Sequence, residues 1–270
     1  MFKSISAIAA LLFAAAILYA GNGLQSTLLS VRGDLEGFPT AIIGLLASAY
    51  YAGFILGCRF VPGMIKGVGH IRAFVALASI ASSSALAHIL FVDATPWAVL
   101  RFITGFSFAG LTMVLESWIN ERATNENRGK VLSVYRIVDL GAVTIGNGLL
   151  AIAPPSGFQL FVLVSILISI ALVPVALTRS DSPAPLETAK LDIVQLYRVS
   201  PVGAVGAAAA GLANAAFWGM APVYVQEIGY GSAMIAAFMS AAIIGAGLFQ
   251  FPMGSLSDKV DRRFVIVGSS

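Results

Sequence analysis

Eight long apolar runs, separated by short polar breaks, limit what this chain can fold into. A helix needs about 20 apolar residues to cross the hydrocarbon core of a bilayer, and each run is close to that length. Hydrophobic residues make up 58% of the 270 residues and charged residues only 11%, whereas soluble domains carry about 25% charged residues. The sequence therefore predicts an all-α polytopic membrane protein. The predicted spans are 5–31, 40–61, 73–91, 97–118, 131–152, 158–177, 201–226 and 232–253.

Basic residues are distributed unevenly between the two ends of the predicted spans. Thirteen of the 16 Lys and Arg residues fall at the end that holds the N-terminus, Arg32 falls at the opposite end, and Arg101 and Arg136 lie within spans. Positive charge collects in cytoplasmic loops, so we predict a multi-pass protein of the inner (cytoplasmic) membrane with a cytoplasmic N-terminus. A cleaved signal peptide is the alternative for the first run, since Lys3 precedes it, but its removal would break the alternation of charge.

The charge and cysteine patterns exclude several functional classes. The basic residues stand in separate short loops, so a nucleic-acid partner is not expected. The single cysteine, Cys58, leaves neither a disulfide nor a cysteine zinc site within one chain. The predicted spans carry no zinc-ligand set, Ser-His pair or paired aspartates, and we therefore expect no enzyme activity, metal or cofactor. The expected partners are the lipid bilayer and a small-molecule solute, and we expect a monomer.

A repeat relates the first two spans to the last two. A shift of 192 residues superposes the two hairpins without a gap. The coinciding residues include Asn22 and Asn214, Ser48 and Ser240, and Gly53 and Gly245. Six spans, a polar linker and a recurrence of the first span are typical of a parallel duplication of a six-helix half.

The repeat divides the chain into three predicted parts. We predict a six-span N-terminal half at 1–177, a cytoplasmic linker at 178–200 and an incomplete C-terminal half at 201–270. The piece 186–197 of the linker is amphipathic, which favours a helix on the membrane surface. Seven residues follow Arg263, too few for a ninth span, and we interpret the chain as a fragment or the product of a truncated gene.

Two charged segments, 62–72 and 254–263, occupy equivalent positions in the repeat. Positive charge alone would fix both on the cytoplasmic side. A carboxylate, Asp258, stands within the second segment and is not needed for orientation, which favours a gating role. In that role it bonds helix ends of the neighbouring half in one state and releases them in the other. The candidate gating residues are Gly254, Asp258, Lys259, Arg262 and Arg263, with Lys66, Gly69 and Arg72 in the first segment.

These segments resemble the signature of the major facilitator superfamily, Gly-x-Leu-x-Asp-Arg/Lys-x-Gly-Arg-Arg. The second segment departs from it at Asp261, which replaces the second glycine. The first segment departs further, with Pro62 for the first glycine and Lys66 for the aspartate. The better-preserved copy is therefore the second.

Two further stretches carry the same resemblance. Arg101-x-x-x-Gly105 is similar to the second signature of the family, and the stretch 116–135 resembles its YcaD-like branch. The resemblance implies six-helix halves and secondary active transport of a small solute by alternating access. A non-transporting membrane receptor or assembly subunit, or an inactive fragment, on the same fold is the alternative. Charges retained within the spans argue against a pure scaffold.

Four charged side chains within the spans are candidates for a transport cavity or for ion coupling. A charge at the bilayer centre costs several kcal/mol and is kept mainly where it faces a cavity or a partner. Arg101 is interpreted either as a residue that snorkels to the headgroups or as a cavity arginine. The resemblance implies that such an arginine binds an anionic group or modulates a proton site. Arg136 and Asp139 share a helical face and form either a structural pair or a solute or proton site. Glu116 is expected to pair with loop arginines. Proton coupling is a hypothesis that rests on Asp139, Glu116 and Arg101.

Polar residues of the first span suggest a central site. Asn22 and Gln25 share one face of that span, and the repeat places Asn214 and Trp218 on the matching part of the seventh. Polar residues at equivalent depth suit a site between the halves, and interhelical hydrogen bonding is the alternative. The mixed charges and few aromatic residues favour a small polar or zwitterionic solute.

Overall fold

The computed structural model describes the backbone of residues 2–123, 128–177 and 193–257. Helices occupy nearly all of these ranges. They are α1 (Phe2–Leu35), α2 (Thr40–Val68), α3 (His70–Leu90), α4 (Ala94–Arg122), α5 (Arg128–Gly148, followed by a 3-10 turn at Leu149–Ile152), α6 (Gln159–Ala176), α7 (Ile193–Val199), α8 (Pro201–Glu227) and α9 (Ser232–Ser257).

Eight of these helices, all except the short α7, are long and apolar enough to cross a membrane. The predicted class, an all-α polytopic membrane protein, is confirmed. Short connections make successive spans alternate in direction. We call the end of the bundle with the α1–α2 turn, just after Asp34, the Asp34 end. The opposite end, where Gly69 joins α2 to α3, is called the basic end.

The first predicted basic loop, 62–72, is mostly helical, which corrects the sequence analysis. α2 continues through Pro62, which is buried, and ends at Val68. A proline removes one backbone donor, a loss that helices within membranes tolerate because neighbouring groups compensate. The break is a single residue, Gly69, with φ of +86°. Its N–H donates to the carbonyl of Ile65 at 2.8 Å and closes the last turn of α2.

The fourth span is also longer than the predicted span 97–118, because the three residues before it, 94–96, belong to the first turn of α4. Asp93 is the N-cap, and its carboxylate accepts a hydrogen bond from the backbone N–H of Thr95 at 3.0 Å. Pro96 lies in the first turn, where backbone N–H groups lack helical partners and proline is tolerated. At the other end α4 reaches Arg122, four residues beyond the end of the predicted span 97–118.

The first six spans pack as one bundle, in which α2 and α3 contact α4, and α1 and α3 contact α6. The closest approach joins α2 and α4. A Cβ at Gly53 would collide with the carbonyl of Phe102, and one at Gly105 with the carbonyl of Tyr50. Small residues on facing helices allow such backbone contact in membrane proteins. Gly245, the repeat partner of Gly53, has no atom within 4 Å of a Cβ added there.

The last two spans pack against the first six mainly towards the Asp34 end. α8 contacts α1 and α2, and α9 contacts α5. Within α8, Gly219, Pro222, Val223 and Val225 are buried, whereas residues 201–214 are exposed apart from the half-buried Ala204. The division of the chain into two halves stays a prediction, and residues 178–192 of the predicted linker lie outside the described ranges.

Candidate functional site in the central cavity

A cavity of about 390 Å³ lies between the first six spans and the pair α8 and α9. Its wall is formed by side chains of α1, α2, α4, α5, α8 and α9. Five of the residues singled out from the sequence line it: Asn22, Arg101, Arg136, Asp139 and Trp218. The structure therefore brings together charges and polar groups from four helices that are distant in sequence.

Arg101 lies on the α4 wall of the cavity and is 4% exposed. Its guanidinium carbon lies 4.4 Å from the centre of the Tyr50 ring, a cation–π geometry. Its Nη1 atom is buried without a hydrogen-bond partner among the described residues. The side chain is enclosed by protein rather than extended towards headgroups, so the snorkelling interpretation does not describe this structure.

Helix packing explains why Tyr50 reaches Arg101. Gly105 follows Arg101 by one turn of α4, and the backbone of Tyr50 lies against that glycine. The Tyr50 hydroxyl donates to Asn22 Oδ1 at 3.4 Å and so connects the ring to α1. The sequence analysis did not single out Tyr50. Tyr50 precedes Gly53 by three residues and therefore lies on the same face of α2, which packs against α4. This spacing could have identified it from the sequence.

The Arg136–Asp139 pair forms on α5, with 2.5 Å between Nη1 and Oδ2. The Arg136 side chain is 55% exposed and that of Asp139 is 20% exposed. An exposed ion pair contributes only about 0–1 kcal/mol to stability, so structural stabilisation alone gives little reason for two charges in a span. A role for the pair in binding solute or protons stays a prediction.

One face of α5 extends the polar wall of the cavity. Asp139, Val143 and Asn147 are spaced four residues apart and all line it. Thr27 Oγ1 donates to Asn147 Oδ1 at 2.8 Å. Asn147 is buried, and its Nδ2 has no partner among the described residues. Sequence reasoning missed Asn147, although its spacing from Asp139 on the same helical face was visible.

Glu116 lies outside the cavity lining and belongs to a hydrogen-bond chain nearer the basic end. The Tyr135 hydroxyl donates to Glu116 Oε1 at 3.3 Å and also bonds to the Tyr19 hydroxyl. The expected pairing of Glu116 with loop arginines is not seen among the described residues, where Arg128 instead donates to Asn120 at 3.2 Å. The chain thus joins α1, α4 and α5.

Gln25 was predicted at the central site, but it does not line the cavity. It is fully buried, and neither amide atom has a hydrogen-bond partner among the described residues. At 3.6 residues per turn, Ser26 and Ser30 lie about 40° and 80° to one side of Asn22, and both line the cavity. Gln25 lies about 60° to the other side, which turns it into the helix packing.

Asn214 was also predicted at the central site and lies outside the cavity lining. It is exposed, its Nδ2 donates to the Ala210 carbonyl at 3.1 Å, and its Oδ1 accepts from Trp218 Nε1 at 3.3 Å. It precedes Trp218 by one turn, about 6 Å closer to the basic end. That part of α8 is not packed against the first six spans, and the cavity wall ends before it.

The structure describes four of the eight candidate gating residues, Lys66, Gly69, Arg72 and Gly254. Asp258, Lys259, Arg262 and Arg263 lie outside the described residues, and Gly254 lies in the last turns of α9. Lys66 and Arg72 are exposed on either side of Gly69 at the basic end, and the ion pairs of the described residues include neither of them. The gating role stays a prediction.

Comparison with known proteins shows which family the chain resembles. The model of the Major Facilitator Superfamily matches residues 11–270. The chain is 28% identical over 233 residues to the "Uncharacterized MFS-type transporter YcaD" of Salmonella newport (strain SL254) and to that of Salmonella typhi. Each match covers 84% of this chain and 60% of the relative, so the chain spans about 60% of the length of these curated relatives.

Solved structures show the same fold at low sequence identity. The crystal structure of the nucleoside transporter NupG aligns with a TM-score of 0.73 at 14% identity, covering 96% of this chain and 68% of that one. An auto inhibited POT family peptide transporter aligns with a TM-score of 0.51 at 13% identity, covering 98% and 55%. The fold and the family resemblance predicted from the charged segments are confirmed. The chain belongs to the major facilitator superfamily.

Proposed function

We propose that the protein moves a small solute across the cytoplasmic membrane by alternating access. The observation that carries this proposal is the polar cavity between the first six spans and α8–α9. When two sets of helices rock about a site at their interface, the site opens first to one side of the membrane and then to the other. Family membership and the two transporter structures with the same fold support a transport role.

The contacts between the two sets of helices favour a state that is closed at the Asp34 end. Gln226 Nε2 donates to Asp34 Oδ2 at 2.6 Å, which joins the ends of α8 and α1. Towards the basic end, residues 201–214 of α8 are exposed except for the half-buried Ala204. If the basic end is cytoplasmic, as the charge distribution predicts, the structure corresponds to an inward-facing state.

We also propose, more specifically, that transport is coupled to protons. Asp139 is a carboxylate on the cavity wall, and its partner Arg136 is more than half exposed, so protonation would release a cation that solvent reaches. Glu116, Tyr135 and Tyr19 provide a second hydrogen-bonded group nearby. Solute binding beside Asp139 would then change its protonation, which is the coupling that a symporter or antiporter requires.

Counterflow in proteoliposomes tests the transport proposal. Purified protein is reconstituted into vesicles loaded with unlabelled solutes from a panel of small polar compounds and carboxylates, and uptake of the labelled solute is followed. We expect at least one solute to be taken up transiently, and we expect a solute gradient to shift the internal pH. Exchange equal to that of protein-free vesicles for every compound would contradict the proposal, and exchange without pH movement would contradict the coupling alone.

A further inference from the structure

We infer that the central cavity binds an organic anion, a small carboxylate with an apolar body, and that Arg101 holds the carboxylate. The inference concerns the chemical class of the ligand, and only its identification as the transported solute rests on the proposed function. It replaces the small polar or zwitterionic solute expected from the sequence.

Arg101 is a buried cation without a counter-ion in the described part of the chain. It is 4% exposed, and no carboxylate pairs with it among the described residues. The guanidinium carbon lies 4.4 Å from the centre of the Tyr50 ring. The Nη1 atom has no hydrogen-bond acceptor among the described residues. Burying a charge is costly unless it is paired and hydrogen-bonded, and an aromatic face supplies no acceptor atoms. A bound carboxylate supplies both the charge and two acceptor oxygens in the geometry that a guanidinium matches.

The other charges of the cavity cannot compensate Arg101 because they already form a pair. Arg136 and Asp139 lie 2.5 Å apart on the α5 wall. Two cations and one carboxylate among the lining residues leave one unit of positive charge. A zwitterion would need a free carboxylate for its cationic group, and the described lining offers none outside this pair. A monoanion balances the cavity.

The unpaired polar atoms of the lining point to the same ligand chemistry. Asn147 Nδ2, on α5, is a buried donor without an acceptor among the described residues, since Oδ1 is the atom that accepts from Thr27. The Tyr50 hydroxyl is already committed to Asn22. Among the described residues, the lining thus has two buried donors without acceptors, on Arg101 and Asn147, and these favour an acceptor-rich ligand.

The rest of the lining accommodates an apolar body. Leu46, Phe54, Trp218 and Ile243 line the cavity together with the charged groups. A cavity of about 390 Å³ is at the lower end of the range for small-molecule sites, which are mostly apolar with a few orienting polar groups. Aliphatic and aromatic monocarboxylates fit that description better than sugars or peptides.

Ligand titrations of the purified protein in detergent test the inference. The probes are acetate, hexanoate and benzoate, each compared with its uncharged primary amide, and inorganic phosphate as a second anion. Binding is read from the thermal unfolding midpoint and from the emission of Trp218, which lines the cavity, while Trp97 and Trp118 are buried elsewhere. Trp218→Phe identifies the part of the emission change that comes from the cavity.

We expect at least one of the larger carboxylates to bind saturably and at least tenfold more tightly than its amide. Arg101→Gln should weaken that binding at least tenfold, and Arg101→Lys should retain part of it. Arg59→Gln, which removes an exposed cation of α2, should bind as the wild type does. The comparison of carboxylate with amide in the wild type tests the inference even if Arg101→Gln does not fold.

Three results would overturn the inference. These are amides that bind as tightly as carboxylates, an Arg101→Gln variant with unchanged affinity, and no binding of any carboxylate. Tighter binding of inorganic phosphate than of every carboxylate would also reject the carboxylate assignment. Binding of a carboxylate without its counterflow in proteoliposomes would leave the anion site standing and contradict the identification of the carboxylate as the transported solute. Counterflow of uncharged solutes that Arg101→Gln does not alter, with no binding of any carboxylate, would support the transport proposal and reject the anion site.

Discussion

Gln226 and Asp34 are bonded to each other, 2.6 Å apart, and are separated by 192 residues, the same interval that superposes the repeat. Equivalent positions of two repeats contact each other only near the axis that relates them. In this family the repeats are parallel and their axis runs along the membrane normal. If α8 and α9 repeat α1 and α2, as the sequence predicts, the Asp34–Gln226 bond marks the point where α1 and α8 meet the axis at the Asp34 end.

A covalent link between these two positions should hold the Asp34 end closed. In a Cys58→Ser background, Asp34→Cys with Gln226→Cys, joined by a short bifunctional thiol reagent, is expected to lose counterflow. Cleavage of a reducible linker should restore it, because alternating access requires this contact to open. Each single-cysteine variant treated with the same reagent is the control. Full counterflow by the linked protein would show that the Asp34 end need not open.

Repulsion at the same contact should have the reverse effect. Gln226→Glu places a second carboxylate beside Asp34, and two like charges about 4 Å apart cost at least about 1 kcal/mol. That free energy corresponds to about a fivefold shift towards states open at the Asp34 end. Labelling of Ser30→Cys, a cavity residue, by an impermeant maleimide in a Cys58→Ser background reports the shift. Gln226→Met, which removes the bond without adding charge, should shift labelling less, and equal labelling of both variants would reject the electrostatic cause.

The contact between α2 and α4 should limit the stability of the bundle. Gly53→Ala places a Cβ against the Phe102 carbonyl, and overpacking of this kind typically costs about 1–3 kcal/mol. We expect a lower thermal unfolding midpoint in detergent. Gly63→Ala is the matched control, since a Cβ there has no atom within 4 Å and alanine favours a helix. An unchanged unfolding midpoint for Gly53→Ala would show that α2 and α4 can move apart to accommodate the Cβ without a loss of stability.

The spans were predictable because bilayer thickness fixes their length, and apolar runs report that length directly. Their ends were not. Pro62 was taken to end the second span, but α2 continues through it to Gly69. The predicted span 97–118 begins three residues after α4 does, because the Asp93 carboxylate caps the helix at Ala94. Both errors arise because capping and compensation of a proline depend on neighbouring groups, which a hydropathy pattern does not contain.

The sequence predicted which kinds of residue form the candidate site, but not which face of each helix points into it. A polar residue in a span signals a cavity or a partner, and this signal led to Arg101 and Asp139, which line the cavity. Which way a helix is rotated depends on how it packs. Gln25 therefore lies about 60° from Asn22 and outside the lining of α1, while Asn147 lies within the lining of α5 and was missed.

The sequence also makes one prediction outside the described residues. Asp258→Asn removes a carboxylate that orientation does not require, and we expect it to slow counterflow without lowering the amount of protein in the membrane. Lys259→Gln, which removes one positive charge from the same segment, shows what a change in loop charge alone does. Wild-type rates in Asp258→Asn would leave the segment with an orientation role only.

The ion pair on the cavity wall gives the sharpest test of coupling. Asp139→Asn cannot take up a proton but remains close in size to the carboxylate, so we expect solute exchange to continue while solute-driven pH change in proteoliposomes is lost. Arg136 then loses its partner, but its side chain is 55% exposed, so the loss of stability should be within about 1 kcal/mol and visible as a small shift in the unfolding midpoint. Glu116→Gln, outside the cavity lining, is the comparison variant. Loss of pH change in Glu116→Gln and not in Asp139→Asn would move the proton site from the cavity to the Tyr135 hydrogen-bond chain, and unchanged pH movement in both would exclude these two carboxylates as the proton site.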